Sequence, residues 1–179
     1  MKRIAALAAS LVMAAAAWAQ PQSWRDANGL PIPDTESRRS QDGLAGSLSV
    51  VTDADWREKW NTPSNTVPGF HEARDVAKGE RVFVLIFFAN PLPSPQGVVD
   101  MRCDIDIVRP DGHSALHQSG VECWHRPVAG ALTNTYLSDP VVQFSGDPPD
   151  PVGDWIVRVA LKDNVRGTVL PLKTSFHLH

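Results

Sequence analysis

From Val98 to Val108 the chain is strongly alternating. Val99, Met101, Cys103, Ile105 and Ile107 share one parity, and Asp100, Arg102, Asp104 and Asp106 share the other. Side chains on a strand project to alternate faces, so this pattern requires a half-buried strand with a charged outer face and Cys103 turned inward. Arg109-Pro110-Asp111-Gly112 supplies the turn that follows, and the return segment Val121-Glu122-Cys123-Trp124-His125 carries the second of only two cysteines. A period of two cannot be satisfied by a helix, so the chain must build a sheet here.

What the two cysteines do depends on the compartment, which the first residues address. Lys2 and Arg3 precede an apolar, alanine-rich stretch from Ile4 to Ala16, and Ala17-Trp18-Ala19 gives a small-x-small pattern before Gln20. This reads as a secretory signal peptide over residues 1–19 and predicts a periplasmic or secreted protein. A membrane span needs about 20 apolar residues, and no second hydrophobic segment follows, so no membrane span is expected. In an oxidising compartment, two cysteines on segments joined by a tight turn predict a Cys103–Cys123 disulfide. Zinc favours sets of four ligands at short spacings, which these single cysteines do not offer.

Removing residues 1–19 takes away two bases and no acid, leaving 15 basic against 20 acidic residues and a net charge of −5. That balance argues against nucleic acid as a partner, since nucleic-acid binding draws on concentrated Lys and Arg. Residues 20–45 are rich in Pro, Ser, Asp, Gly and Arg with scattered apolar positions, and predict an extended N-terminal arm. The domain is expected over 46–179, with a first strand at Ser47–Val50. A short helix is expected over Thr52–Trp60, capped by Thr52 or Asp53, with Trp56 and Trp60 on one face covering the end of the core. Arg81–Phe88 is continuously apolar after its first residue, the pattern of a strand covered on both faces. Further strands are expected at Val141–Phe144, at Trp155–Lys162, and at the C-terminus, where Leu170, Leu172, Thr174, Phe176 and Leu178 face inward. Fifteen prolines and twelve glycines suit strands and turns better than helices. The fold class predicted is all-β: a single immunoglobulin-like β-sandwich of seven or eight strands with one short helix.

The final third resembles exported bacterial immunoglobulin-like modules. The elements that carry the resemblance are Gly146-Asp147-Pro148, Gly153-Asp154-Trp155, Asp163 and Phe176-His177-Leu178. More broadly, Val51-Thr52 with Trp56 and Trp60, Lys78-Gly79-Glu80, Asn90-Pro91 and Pro110-Asp111-Gly112 look like an uncharacterised family of exported bacterial proteins over residues 45–179. The resemblance implies fold and compartment, and it brings no activity and no site residues.

Chemical signatures are few. The sequence has no Gly-x-Ser-x-Gly elbow, His-Glu-x-x-His pair, phosphate-cradling glycine loop or dinucleotide fingerprint, so no catalytic residues and no cofactor are expected. Asp147, Asp150 and Asp154 surround a proline-stiffened loop, but their spacing does not match a calcium loop and they read as turn and capping residues. Trp124 follows the inward-facing Cys123 and should therefore point outward, where an indole makes a good anchor for a protein or cell-envelope partner. The leading expectation is thus a non-enzymatic exported binding or accessory module. The alternative is a periplasmic copper- or zinc-binding protein using His177 and His179, two apart on the outer face of the last strand.

Overall fold

The structure is a computed structural model that describes residues 24–25, 28–63 and 68–179. The expected signal segment lies outside the described residues. The elements in chain order are β1 (Arg38–Gln41), β2 (Leu44–Val51), α1 (Trp56–Trp60), β3 (Asp75–Val76), β4 (Arg81–Ala89), β5 (Val99–Val108), β6 (Ser114–Arg126), β7 (Thr135–Leu137), β8 (Val142–Ser145), β9 (Gly153–Asp163) and β10 (Thr168–Leu178).

They form two five-stranded sheets. One runs β1-β2-β4 and continues from β4 to both β7 and β8; the other runs β3-β10-β9-β5-β6. Every pairing is antiparallel except β3 with β10, which is parallel. The chain leaves the first sheet after β2 and joins the edge of the second as β3. That switch, with β9 and β10 paired beside β5, is the strand partition of an immunoglobulin-like sandwich. The count exceeds the expected seven or eight because β1, β3 and β7 are edge pieces of two to four residues, too short to show a period.

The core lies between the sheets, where Val82, Val84, Ile86 and Phe88 of β4 meet Met101, Ile105, Trp155, Val157, Val159, Leu170, Leu172 and Phe176. The other face of β4 is covered too. Phe83, Leu85 and Phe87 pack under α1 and the following loop, with Trp60 5.3 Å from Phe87 and Trp56 6.4 Å from Phe83, ring centre to ring centre. A strand with apolar layers on both sides has no outward position left for a polar residue, and this accounts for the unbroken run in β4.

Two elements depart from the expectation. The first is the arm: β1 pairs with β2 in a hairpin, and Leu44 and Ala45 are fully buried, so strand structure begins before Gly46. Asp42 and Gly43 form the two-residue loop at φ 51° and 86°, the left-handed conformation that an Asp-Gly hairpin turn uses. The second is the helix, which has five residues rather than nine. Asp53 does not cap it; its carboxylate accepts from the His71 amide (2.7 Å), the His71 ring (2.8 Å) and Lys59, which ties the chain before the helix to the loop after it. Burial opposes the charge on Asp53, and the bonds from Lys59 and His71 outweigh it, bringing its pKa down to about 2.

The Cys103–Cys123 disulfide is present and joins neighbouring strands β5 and β6. Cys103 lies opposite Val121, while Met101 lies opposite Trp124 and Arg102 opposite Glu122, so Cys123 is an extra residue on β6. It is the inserted residue of a β-bulge, and a bulge breaks the alternation of faces.

Candidate functional site

The bulge decides the fate of Trp124. With Cys123 inserted, both residues turn inward: Cys123 is fully buried and Trp124 is 9% exposed. The indole meets Phe88 edge-on and Tyr136 at an angle, each at 5.5 Å between ring centres, and its Nε1–H donates to the Arg126 carbonyl at 2.9 Å. Arg126 lies over the ring at 3.6 Å and is held there by Asp139. Trp124 is therefore a core residue, and the expectation of an outward anchor is corrected.

His177 and His179 have different partners. The His177 ring bonds Asp154 on β9 at 2.8 Å, while His179 lies past the end of β10, its amide donating to Val76. Among the described residues, no group of three or more His, Cys, Asp or Glu side chains converges closely enough to hold a metal ion. In the proline-stiffened loop, Asp150 accepts from the Asp147 amide, a turn contact, and stands 3.6 Å from Arg109.

What the topology does assemble is a set of charged rows on the outer face of the five-stranded sheet containing β5. Asp106 on β5 lies opposite His117 on β6 and Arg158 on β9, and Arg158 lies opposite Lys173 on β10. In the next row Asp104 lies opposite Ala160, which lies opposite Pro171. Beyond that come Glu122, Arg102, Lys162 and Val169. Ala160 and Pro171 are short, so the middle row leaves a hollow of about 420 Å³ between its longer neighbours, closed on one side by Glu36 and Arg39.

The charges around this hollow are unevenly matched. Lys173 pairs with Glu36 at 3.3 Å. Asp104 is bonded by Lys162 and accepts from the Gly120 amide at 2.8 Å; these two contacts, in that order, hold its carboxyl below the usual carboxylate range against a smaller opposing effect of burial. Asp106 holds the His117 ring through Nδ1 at 2.5 Å, and Nε2 of that ring lies 3.1 Å from Ser119 Oγ. This Ser-His-Asp series orients the imidazole. The Gly120 amide, the nearest following N–H to Ser119, already donates to Asp104 and cannot serve an oxyanion there. Arg39 and Arg158, by contrast, line the hollow with no hydrogen bond or ion pair from either guanidinium among the described residues. Five N–H donors on each planar fork are free to grip an anionic group.

A second concavity, of about 570 Å³, lies on the open side of the sandwich between the edge strands β6 and β8. Leu116, Val142 and Phe144 line it, with Arg109 and Asp150 at one end. Arg109 and Asp150 are paired with each other there.

Sequence reasoning missed Arg39, Arg158 and the hollow. The outward parity of Arg158, Ala160 and Lys162 on β9 was visible, but which residues stand beside them depends on register across four strands.

No family model matches the chain, and no curated protein matches it. Among solved structures it is similar to a family 123 glycoside hydrolase from Clostridium perfringens, studied for glycolipid glycan hydrolysis (10% identity over 75% of this chain and 27% of that one, TM-score 0.44). It is also similar to the alkylpurine DNA glycosylase AlkC of Pseudomonas fluorescens (15% identity, 76% and 30%, TM-score 0.39) and to the C-terminal domain of wzt (12% identity, 79% and 77%, TM-score 0.40). The chain spans less than a third of the length of the first two. Nothing about activity follows from these likenesses.

Proposed function

We propose that this chain is a non-enzymatic exported module that binds a protein or cell-envelope component on the outer face of its β3-β10-β9-β5-β6 sheet. The observation that carries the reading is the pair of guanidiniums, Arg39 and Arg158, without a partner among the described residues, at one hollow of a chain whose acids outnumber its bases. In such a chain a surface arginine readily finds an internal carboxylate; here Asp104 and Asp106, in the same rows, are taken up by Lys162 and His117. The arrangement leaves positive charge available to an anionic group brought by the partner. Export is supported by the Lys2–Ala19 sequence pattern and is compatible with the disulfide.

The test compares the chain from residue 20 onward with its Arg39→Ala/Arg158→Ala variant, each immobilised and exposed to a solubilised envelope fraction. The wild type should retain a component that elutes with salt, and the variant should not. Equal retention by both would place the binding elsewhere on the molecule, and no retention by either would refute a binding role in the envelope.

A further inference from the structure

Resting on that reading, we infer that the group held at the hollow is a carboxylated sugar unit of an envelope glycan, its carboxylate on Arg39 and Arg158 and its ring over Ala160 and Pro171. The charge pattern selects this class. The hollow carries two guanidiniums that are free among the described residues; of its carboxylates, Glu36 and Asp104 are paired with Lys173 and Lys162, while Asp106 gives only one oxygen to His117. A ligand that is anionic along its whole length, such as an acidic peptide, brings more negative charge than two guanidiniums answer and meets Asp106 as a like charge, in a chain with an overall excess of acid. A neutral glycan leaves both guanidiniums unmatched.

A sugar acid presents one carboxylate and several hydroxyls in a single ring, and each side of the hollow answers one of these. The guanidinium forks match a carboxylate in planar, two-point geometry. Ionised carboxylates are acceptors only, and sugar hydroxyls are donors to them. Asp106 gives one oxygen to His117 and keeps the other as an acceptor, and its ring partner is itself held by Ser119. The floor, made by the Ala160 methyl and the Pro171 ring, offers a small apolar surface to the C–H face of a pyranose. The hollow is a shallow depression on a sheet face, so a ring within a longer glycan can lie in it while the chain continues on both sides.

The experiment is calorimetric titration of the chain from residue 20 with oligosaccharides containing galacturonate, glucuronate or N-acetylmuramate, their carboxyl methyl esters, and hexaglutamate. At least one acidic oligosaccharide should bind saturably. Its methyl ester, Arg39→Ala and Arg158→Ala should each weaken binding by about tenfold or more, with Arg158→Lys in between, and melting temperatures should stay unchanged. Absence of binding by all three acidic sugars, or equal binding of the ester, overturns the inference. If hexaglutamate alone binds and requires both arginines, the saccharide assignment falls while the anion-binding module stands. If no probe binds and the envelope fraction is not retained either, both fall.

Discussion

Replacing Trp124 by alanine should destabilise the sandwich without touching the proposed ligand site. The side chain is 9% exposed, packed against Phe88 and Tyr136 at 5.5 Å, covered by the Arg126 guanidinium, and bonded through Nε1 to the Arg126 carbonyl. Truncating a buried indole costs about 3–5 kcal/mol through lost transfer energy and the cavity left behind. Trp124 lies on the edge strand β6, where neighbours can partly close the gap, so a loss of about 4 kcal/mol is expected. For a domain of this size each kcal/mol lowers the melting temperature by about 2–4 °C, which gives a drop of about 8–16 °C. Thermal unfolding followed by near-ultraviolet circular dichroism, with the disulfide oxidised, reads this directly. Trp124→Phe should recover much of the loss, because the aromatic contacts survive. A Trp124→Ala variant that melts within about 2 °C of wild type but no longer binds its partner would refute the burial argument and return Trp124 to the surface.

Three further perturbations test the frame around the site. Asp53 has an ordinary pKa of 3.8 and one of about 2 in the folded chain, so its contribution is fully present above 3.8 and is lost as pH falls towards 2. Its side chain is 3% exposed, and the shift corresponds to about 2 kcal/mol; denaturant unfolding between pH 5 and pH 2 should show a correspondingly smaller acid sensitivity in Asp53→Asn, and identical slopes would contradict the assignment. Replacing both Cys103 and Cys123 by alanine opens a link of sequence separation 20 and should cost about 3 kcal/mol in the chain-entropy account, seen as a lower urea midpoint. At Gly146 a Cβ would lie 2.6 Å from Leu178 Cδ1 and 3.2 Å from its Cγ, so Gly146→Ala must displace a fully buried leucine and should lose about 1–3 kcal/mol in the same assay.

Legibility in the sequence followed local regularity. Strands β5, β9 and β10 were readable because most of their inward positions are apolar and most outward ones polar or charged over ten or eleven residues. The double cover of β4 was readable for the opposite reason, the absence of any polar position in the run. Strand β6 was not. It is an edge strand with three register irregularities against β5, and only Cys123 and Trp124 of its thirteen residues are buried, so parity counted from Cys123 put Trp124 on the wrong face. The Asp42-Gly43 hairpin signal was present and was absorbed into a polar arm. β3 owes its two residues of pairing to β10, about a hundred positions away, which no local pattern reveals. The site is a matter of register: Arg158, Ala160, Pro171 and Asp106 each sit at an ordinary outward position, and only the sheet pairing makes them neighbours.

The most direct test of the account is amide chemical-shift mapping of the isotopically labelled chain during titration with the acidic oligosaccharide that binds best. The amides of Asp106, Arg158, Ala160 and Leu172 should shift first and together, and Arg158→Ala should abolish the pattern. Shifts gathered instead around Leu116, Val142 and Phe144 would place binding at the open edge and contradict the central claim.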